Sequence, residues 1–423
     1  MATPTWLSGF EYGVLSASGG GLASVITGTV DTNLSVQSSV KRSGSYALRI
    51  YPSSAAAHFG RTISTNLLVG RFYVRFGTLQ TADHTILRVL TATQQLLFGF
   101  SYNGGSQRFY MTVNAGTPQY TAGGSVQADV WYRVDFRFDT STGTSTIDWQ
   151  INGVAQTQAT RTVATATQTT VNFGVTTAAT ANFYIDDCVL GYTTGDYPFG
   201  DGEVRAIVPS SDGSHNAGTN IMEDSAGADV NGTSVTAWDK LEEIPLGGGG
   251  DSDRIQQTAN GTGNYCEVNF GDITDNVING VMGLLCYKSA TTSGNTAGTV
   301  MRRYDGGTPT DVALYGIAGA LTDYSESSNF YKSAILGAPG GGWTQTEVNN
   351  LKMRFGYSDD AAPDIYWLGL MYEVDVKTGR ISPSAIATGE AFGTAKINGR
   401  IQSAGAIATG AAFGTAKING TIK

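Results

Sequence analysis

Apolar and polar side chains alternate at period two through most of the first half of the chain. Phe72, Val74 and Phe76 share one face of their segment. Tyr132, Val134, Phe136 and Phe138 share a face of 131–138, with Arg133, Asp135 and Arg137 opposite. Ile147, Trp149 and Ile151 alternate up to Asn152-Gly153. Period two marks a half-buried strand, and Asn-Gly readily takes the positive φ angles of a tight hairpin. Val171–Val175 and Phe183–Ile185 read as further strands, and no long helical pattern interrupts them. Many short strands separated by turns predict an antiparallel sandwich or barrel.

The pattern breaks at residues 195–202, where Pro198 and three glycines predict a linker. Strands resume at Val204–Val208, Tyr265–Phe270 and Val281–Tyr287, and the long apolar run Ile365–Val376 is expected to close a second domain. Between them, Gly247–Gly250 reads as a mobile loop, and 346–351, after Trp343-Thr344, as one short helical turn. From 379 onward the chain repeats itself: Ile407 stands 21 residues after Ile386, and Phe413 stands 21 after Phe392. One such unit cannot bury its own apolar face. Ile386, Phe392, Ile397, Ile407, Phe413 and Ile418 are therefore expected to pack on another chain or on copies of this one. The organisation read from the pattern is a domain over 1–195, a linker over 196–202, a second domain over 203–378 and a repeat tail over 379–423.

Composition supports many strands and tight turns. The 423 residues include 56 glycines, and charged residues make up only 14%, below the ~25% usual in globular domains. A net charge of -9 with no run of Lys or Arg excludes a basic stripe for nucleic acid. The first eight residues lack the basic start and apolar core of a secretion signal, and no stretch approaches the ~18 apolar residues of a membrane span. A soluble protein made in a host cytoplasm, without membrane insertion, is expected. Cys188, Cys266 and Cys286 form no CxxC pair and read as buried free thiols.

Four motifs then occur in order: Trp6-Leu7-Ser8-Gly9-Phe10-Glu11, Ser43-Gly44-Ser45-Tyr46-Ala47-Leu48-Arg49-Ile50, Trp131-Tyr132-Arg133-Val134-Asp135-Phe136 and Phe183-Tyr184-Ile185-Asp186-Asp187. Together they resemble the concanavalin A-like, or laminin G-like, jelly-roll domains of phage structural proteins. The second half, with Val204–Pro209, Trp343-Thr344 and Tyr372-Glu373-Val374, resembles another module of such particles, and the Phe-Gly-Thr repeats resemble tails appended to virion proteins. The resemblance implies an all-β fold of two antiparallel jelly-roll (concanavalin A-like) β-sandwich domains plus a short β-rich C-terminal repeat segment. It also implies a place in the virion beside other virion proteins.

Relatives with this fold include glycoside hydrolases, which need two carboxylates flanking the bond they cleave. The nearest match to their Glu-x-Asp-x-x-Glu strand is Glu373-Val374-Asp375, with Thr378 in the third place. No Gly-x-Ser-x-Gly, His-Glu-x-x-His or P-loop is present. No catalytic residue is assigned, and a non-enzymatic role is expected. The fold's natural activity, sugar binding, points to Tyr102, Asn103 and Tyr120. Laminin G-like domains often hold calcium on loop oxygens, which makes Asp186, Asp187, Asp251 and Asp253 candidate ligands, with Asp359-Asp360 a third pair. No other cofactor is implied. The sequence thus reads as a homo-oligomeric virion component, tail-associated or fibre-like, with host-surface glycan as a partner. Capsid decoration and a free polysaccharide-binding or polysaccharide-degrading protein remain the alternatives.

Overall fold

The computed structural model describes residues 4–377 apart from internal stretches, the longer of which are 16–24, 28–31, 216–221, 231–235, 247–252, 258–264, 290–296, 318–328 and 358–364. The four-glycine run, Asp251, Asp359-Asp360 and the repeat tail with Ile386, Phe392, Ile397, Ile407, Phe413 and Ile418 lie outside the described residues.

The first sandwich comprises β1 (Pro4–Ser8), β2 (Val25–Thr27), β3 (Leu34–Gln37), β4 (Ala47–Ile50), β5 (Ala55–Thr65), β6 (Leu67–Phe76), β7 (His84–Leu90), β8 (Leu96–Asn103), β9 (Arg108–Val113), β10 (Gln119–Tyr120), β11 (Trp131–Asp139), β12 (Thr144–Ile151), β13 (Val154–Ala155), β14 (Ala159–Thr162), β15 (Gln168–Ala179) and β16 (Phe183–Gly191). One sheet is ordered β13-β12-β11-β6-β16-β4-β3, with β1 beside β16 and β14 beside β12; the other is ordered β10-β9-β8-β7-β15-β5-β2. The alternating apolar positions meet between them. Phe72 packs edge-on against Phe100, Phe136 and Phe173, with centroids 5.6, 6.3 and 5.6 Å away. Phe136 lies over Gly70 on the neighbouring strand, where a Cβ would strike its ring. Asn152 and Gly153 have φ of 51° and 84° and join β12 to β13 as the Asn-Gly pair requires.

The second sandwich comprises β17 (Glu203–Ile207), β18 (Pro209–Asp212), β19 (Met222–Asp224), β20 (Ile255–Gln257), β21 (Cys266–Phe270), β22 (Ile278–Ser289), β23 (Ala297–Asp305), β24 (Thr308–Ile317), β25 (Asn329–Ile335), β26 (Lys352–Tyr357) and β27 (Ile365–Val376). Its sheets are β19-β20-β27-β22-β25, with β17 beside β27, and β18-β21-β26-β23-β24. One helical turn, α1 (Gln345–Asn349), starts at a capping box. The Glu347 amide donates to Thr344 Oγ1 at 3.2 Å, and the Thr344 amide donates to Glu347 Oε2 at 2.7 Å. The protein is therefore all-β, two antiparallel sandwiches in tandem. All three cysteines are buried thiols.

The apolar cluster of the first sandwich extends across the seam into the second, which keeps a core of its own. Leu370, Tyr372, Val374 and Val376 of β27 enter the core of the second sandwich, while Leu368 and Met371, with Met282 and Leu284 of β22, join the cluster of the first. A strand covered on both faces has little room for polar residues, which explains why Ile365–Val376 is almost continuously apolar. β1 fills the seam: it pairs with β16, and its Leu7 amide lies 3.4 Å from Met282 Sδ. The segment read as a linker is packed into this seam as well. Phe199 is fully buried, the Gly200 amide donates to Asp135 at 3.0 Å, and Asp201 accepts from Tyr73 Oη at 2.5 Å and Arg42 Nη2 at 2.9 Å.

Candidate ligand-binding face

The sheet β10-β9-β8-β7-β15-β5-β2 turns Phe98, Phe100, Tyr102, Phe109, Met111, Val171 and Phe173 inward. Alternation then places His58, Arg88, Gly99, Ser101, Arg108, Tyr110, Thr112, Tyr120 and Asn172 on its outer face. The register sets them in rows. Gly60, Asn172, Arg88, Gly99 and Thr112 stand side by side across five strands. Ser101, Tyr110 and Tyr120 form a parallel row at the β10 end. Glycines occupy positions 60 and 99 of the first row, and a Cβ at 99 would meet Thr112 Oγ1 at 3.1 Å.

At the β10 end of this face the rings of Tyr110 and Tyr120 lie 5.3 Å apart, inclined at 44°, and the Arg108 guanidinium stands 5.7 Å from the Tyr120 ring. Tyr120 is among the few exposed large apolar side chains, at 38%. Burial raises the Tyr110 hydroxyl above its ordinary pKa, and its hydrogen bond to Ser101 opposes that shift. Towards the other end, burial lowers the pKa of His58 and the Arg88 charge lowers it further. Asn172 is 5% exposed, and its Oδ1 has no hydrogen-bond partner.

The residues singled out for sugar binding separate in the structure. Tyr102 points inward and is fully buried. Its ring lies 4.7 Å from that of Phe76 and its hydroxyl donates to the Gln80 carbonyl at 3.2 Å, so it cannot serve as a surface platform. Asn103 organises the β8–β9 turn: its Nδ2 donates to both oxygens of Asp83 at 2.9 Å, and its Oδ1 accepts from Ser106 N and Oγ at 2.7 Å. Only Tyr120 of the three lies on the outer face with its ring exposed. Its partner Tyr110 was missed, although two tyrosines on adjacent strands of a hairpin are a signal the sequence carries.

Asp186 and Asp187 occupy the seam. Successive strand residues ordinarily face opposite ways, but a bulge with Asp187 at φ 51° turns both carboxylates towards the 42–43 loop. Asp186 Oδ2 accepts from the Arg42 amide at 2.8 Å. Asp187 accepts from Arg42 Nη1 at 2.6 Å, Ser43 Oγ at 2.7 Å and the Val204 amide at 2.6 Å. Burial first, and then Asp187, raise Asp186 well above the carboxylate range. A calcium ion would have to displace a guanidinium already in contact, so these residues do not fit one. Asp253 pairs with Lys240 at 3.1 Å. Among the described residues, no group of three or more His, Cys, Asp or Glu is placed to hold a metal.

The hydrolase-like pair Glu373 and Asp375 lies in the same seam, fully buried. Glu373 Oε1 accepts from the amides of Gly9 at 3.1 Å and Glu11 at 3.3 Å, and Asp375 pairs with Arg71 at 2.7 Å. No sugar can reach either carboxylate in this arrangement. A shallow cleft of about 540 Å³ opens elsewhere on the second sandwich, between Arg205, Pro209, Trp238, Glu242 and Asp272. Its cation Arg205 is already paired with Glu203 and Asp275.

No family model matches the chain, and no curated protein does. Among solved structures, a sialidase is similar at 14% identity and a TM-score of 0.31, over 39% of this chain and 17% of its own. A cellulose-induced protein is similar at 14% and 0.31, over 38% and 88%. A pentraxin from Limulus polyphemus is similar at 14% and 0.28, over 34% and 74%. The chain thus spans under a fifth of the length of that sialidase. At these values the likeness reaches no further than β-sandwich architecture.

Proposed function

We propose that this chain is a glycan-binding structural protein of a bacteriophage or phage-like particle, with a tail-fibre role favoured over head decoration. The observation that carries the binding part is the Tyr110–Tyr120 pair. Two tilted rings on the outer face offer apolar surfaces for the C–H faces of a pyranose, and Arg88 and Asn172, two and three strands from Tyr110 in the neighbouring row, supply polar groups for further residues of a glycan chain. Binding is favoured over hydrolysis because the candidate carboxylate pair is sealed in the seam. The particle part rests on the ordered motifs of the first half and on the 21-residue repeats. The continuous core between the sandwiches suits a stiff projecting element that carries its binding face at a fixed angle to its anchor.

Two experiments test the two parts. Tyr120→Ala is expected to weaken binding to the glycans the full chain retains on an array by about tenfold, or ~1.4 kcal/mol. Unchanged affinity in that variant removes the aromatic platform from the reading. For the assembly part, native mass of the full chain is compared with that of a chain ending at Val376. A closed oligomer reduced to a folded monomer by the truncation supports tail-driven assembly. Equal masses would mean that the repeats do not assemble copies of this chain.

A further inference from the structure

Arginines elsewhere in the first sandwich are held by an acceptor: Arg49 donates to Asn182 Oδ1 at 3.1 Å and Arg161 to the Asn114 carbonyl. Arg42, Arg71, Arg75, Arg133 and Arg137 each have a carboxylate partner between 2.6 and 2.9 Å away. Arg88 has none among the described residues, and burial is the sole cause of the lowering of its pKa. It stands directly between Asn172 and Gly99, in the middle of the row of five strands. His58, two positions along the neighbouring row, has its Nδ1 unpartnered, and Arg108 lies at the tyrosine end with its Nε unpartnered. The nearby carboxylate, Asp83, is turned away into its bonds with Asn103 and with the Gly104 amide at 3.0 Å. In a chain of net charge -9, a half-buried arginine left without a counter-ion, beside a buried amide oxygen with nothing to accept from, is an incomplete site.

We infer that the ligand of this face is an acidic carbohydrate, its carboxylate or sulfate held by Arg88, a neighbouring hydroxyl donating to Asn172 Oδ1, and a sugar ring resting on Tyr110 and Tyr120. This rests on the glycan-binding reading above and names the chemical class of the glycan. Arg88 supplies a planar pair of donors suited to either oxyanion. Replacing water around a partly desolvated guanidinium with a fixed anion gives the site its preference for charged over neutral sugars.

The test uses the full chain and three matched pairs: an oligogalacturonate and its carboxyl-reduced counterpart, sialyllactose and lactose, and a sulfated dextran oligomer and unsulfated dextran. The expected result is at least one pair in which the acidic member binds about tenfold or more tightly, with the advantage shrinking as salt is raised. The carboxylated and sulfated pairs distinguish which oxyanion is preferred. In Arg88→Gln the ratio of acidic to neutral affinity is expected to fall to about one, and in Arg88→Lys to recover in part. Circular dichroism establishes that both variants fold. Acidic and neutral members bound equally well, or a preference that survives Arg88→Gln, overturns the acidic-ligand inference and leaves sugar binding standing. Binding of none of the six probes, acidic or neutral, overturns both.

Discussion

Replacing Asp375 with alanine is expected to destabilise the protein by about 3–5 kcal/mol, and replacing Arg71 with methionine by a similar amount. Arg71 projects from β6 of the first sandwich and Asp375 from β27 of the second, and both side chains are wholly buried at 2.7 Å. Asn279 Nδ2 holds the second Asp375 oxygen at 2.8 Å, and the Asp187 carbonyl lies 3.4 Å from Arg71. Removing one partner leaves a charge stranded in a space from which water is excluded. Removing both is a different matter. In Arg71→Met/Asp375→Leu no charge is stranded and the seam gains apolar contact, so most of the loss should be recovered. Equilibrium urea unfolding of the two single variants and the double variant measures this. The single variants should also split one transition into two, since the pair bridges the sandwiches. Single losses below about 1 kcal/mol, or a double variant as unstable as the sum of the singles, would mean that the pair is hydrated and does not join the domains.

The period-two pattern located the strands because it follows from which side of a strand meets the core. It identified Phe72, Phe136 and Trp149 as inward, and their contacts bear that out. The same pattern says nothing about what lies over the outward face. Arg133 and Asp135 alternate away from the sandwich core, as the sequence implies, yet Asp135 is fully buried, with the Gly200 amide donating to one of its oxygens and Arg133 to the other. The burial of the linker is invisible in the pattern for the same reason. Glycine and proline mark a change of chain direction, and they carry no information about whether the turned segment then packs.

The candidate site was legible only in part. Tyr120 and Asn103 stand out as an aromatic and an amide near turns. Separating them from the buried Tyr102 requires knowing that Tyr102 shares a face with Phe98 and Phe100 and that Asn103 is committed to Asp83. Arg88 carries no local signal at all. Its significance is the missing carboxylate, and partners contributed by five different strands cannot be counted along the chain. Asp186-Asp187 shows the opposite failure. The doublet is conspicuous in the sequence, and a single bulge converts it from a candidate ion site into the anchor of a domain interface.

Stability is expected to fall as the pH is raised from about 5 to about 9, and Glu11 is one of the groups that carry the change. Glu11 is buried in the seam beside Glu373, with its Oε2 accepting from the Ser45 amide at 2.8 Å. Gly44, at φ +55°, lies flat against that carboxylate and leaves no room for a Cβ. Desolvation, and then repulsion from Glu373 and Asp187, push its pKa up from 4.5 to about 9. The folded protein therefore keeps a proton that the unfolded chain releases above pH 4.5. The stabilisation is complete below that value and is lost progressively until the folded group itself ionises near 9. Each pKa unit is worth about 1.4 kcal/mol, so the fall amounts to several kcal/mol at most. Burial raises Asp135 and Asp186 in the same direction, so the seam as a whole is weakened by alkali. Glu11→Gln removes the titration while preserving an acceptor for the Ser45 amide. Its unfolding free energy measured across this pH range should slope visibly less than that of the unmodified chain, with a remainder from Asp135, Asp186 and Glu243. Parallel slopes in the two proteins would show that Glu11 is ionised and hydrated in the fold, and that the carboxylates of the seam are held apart by water.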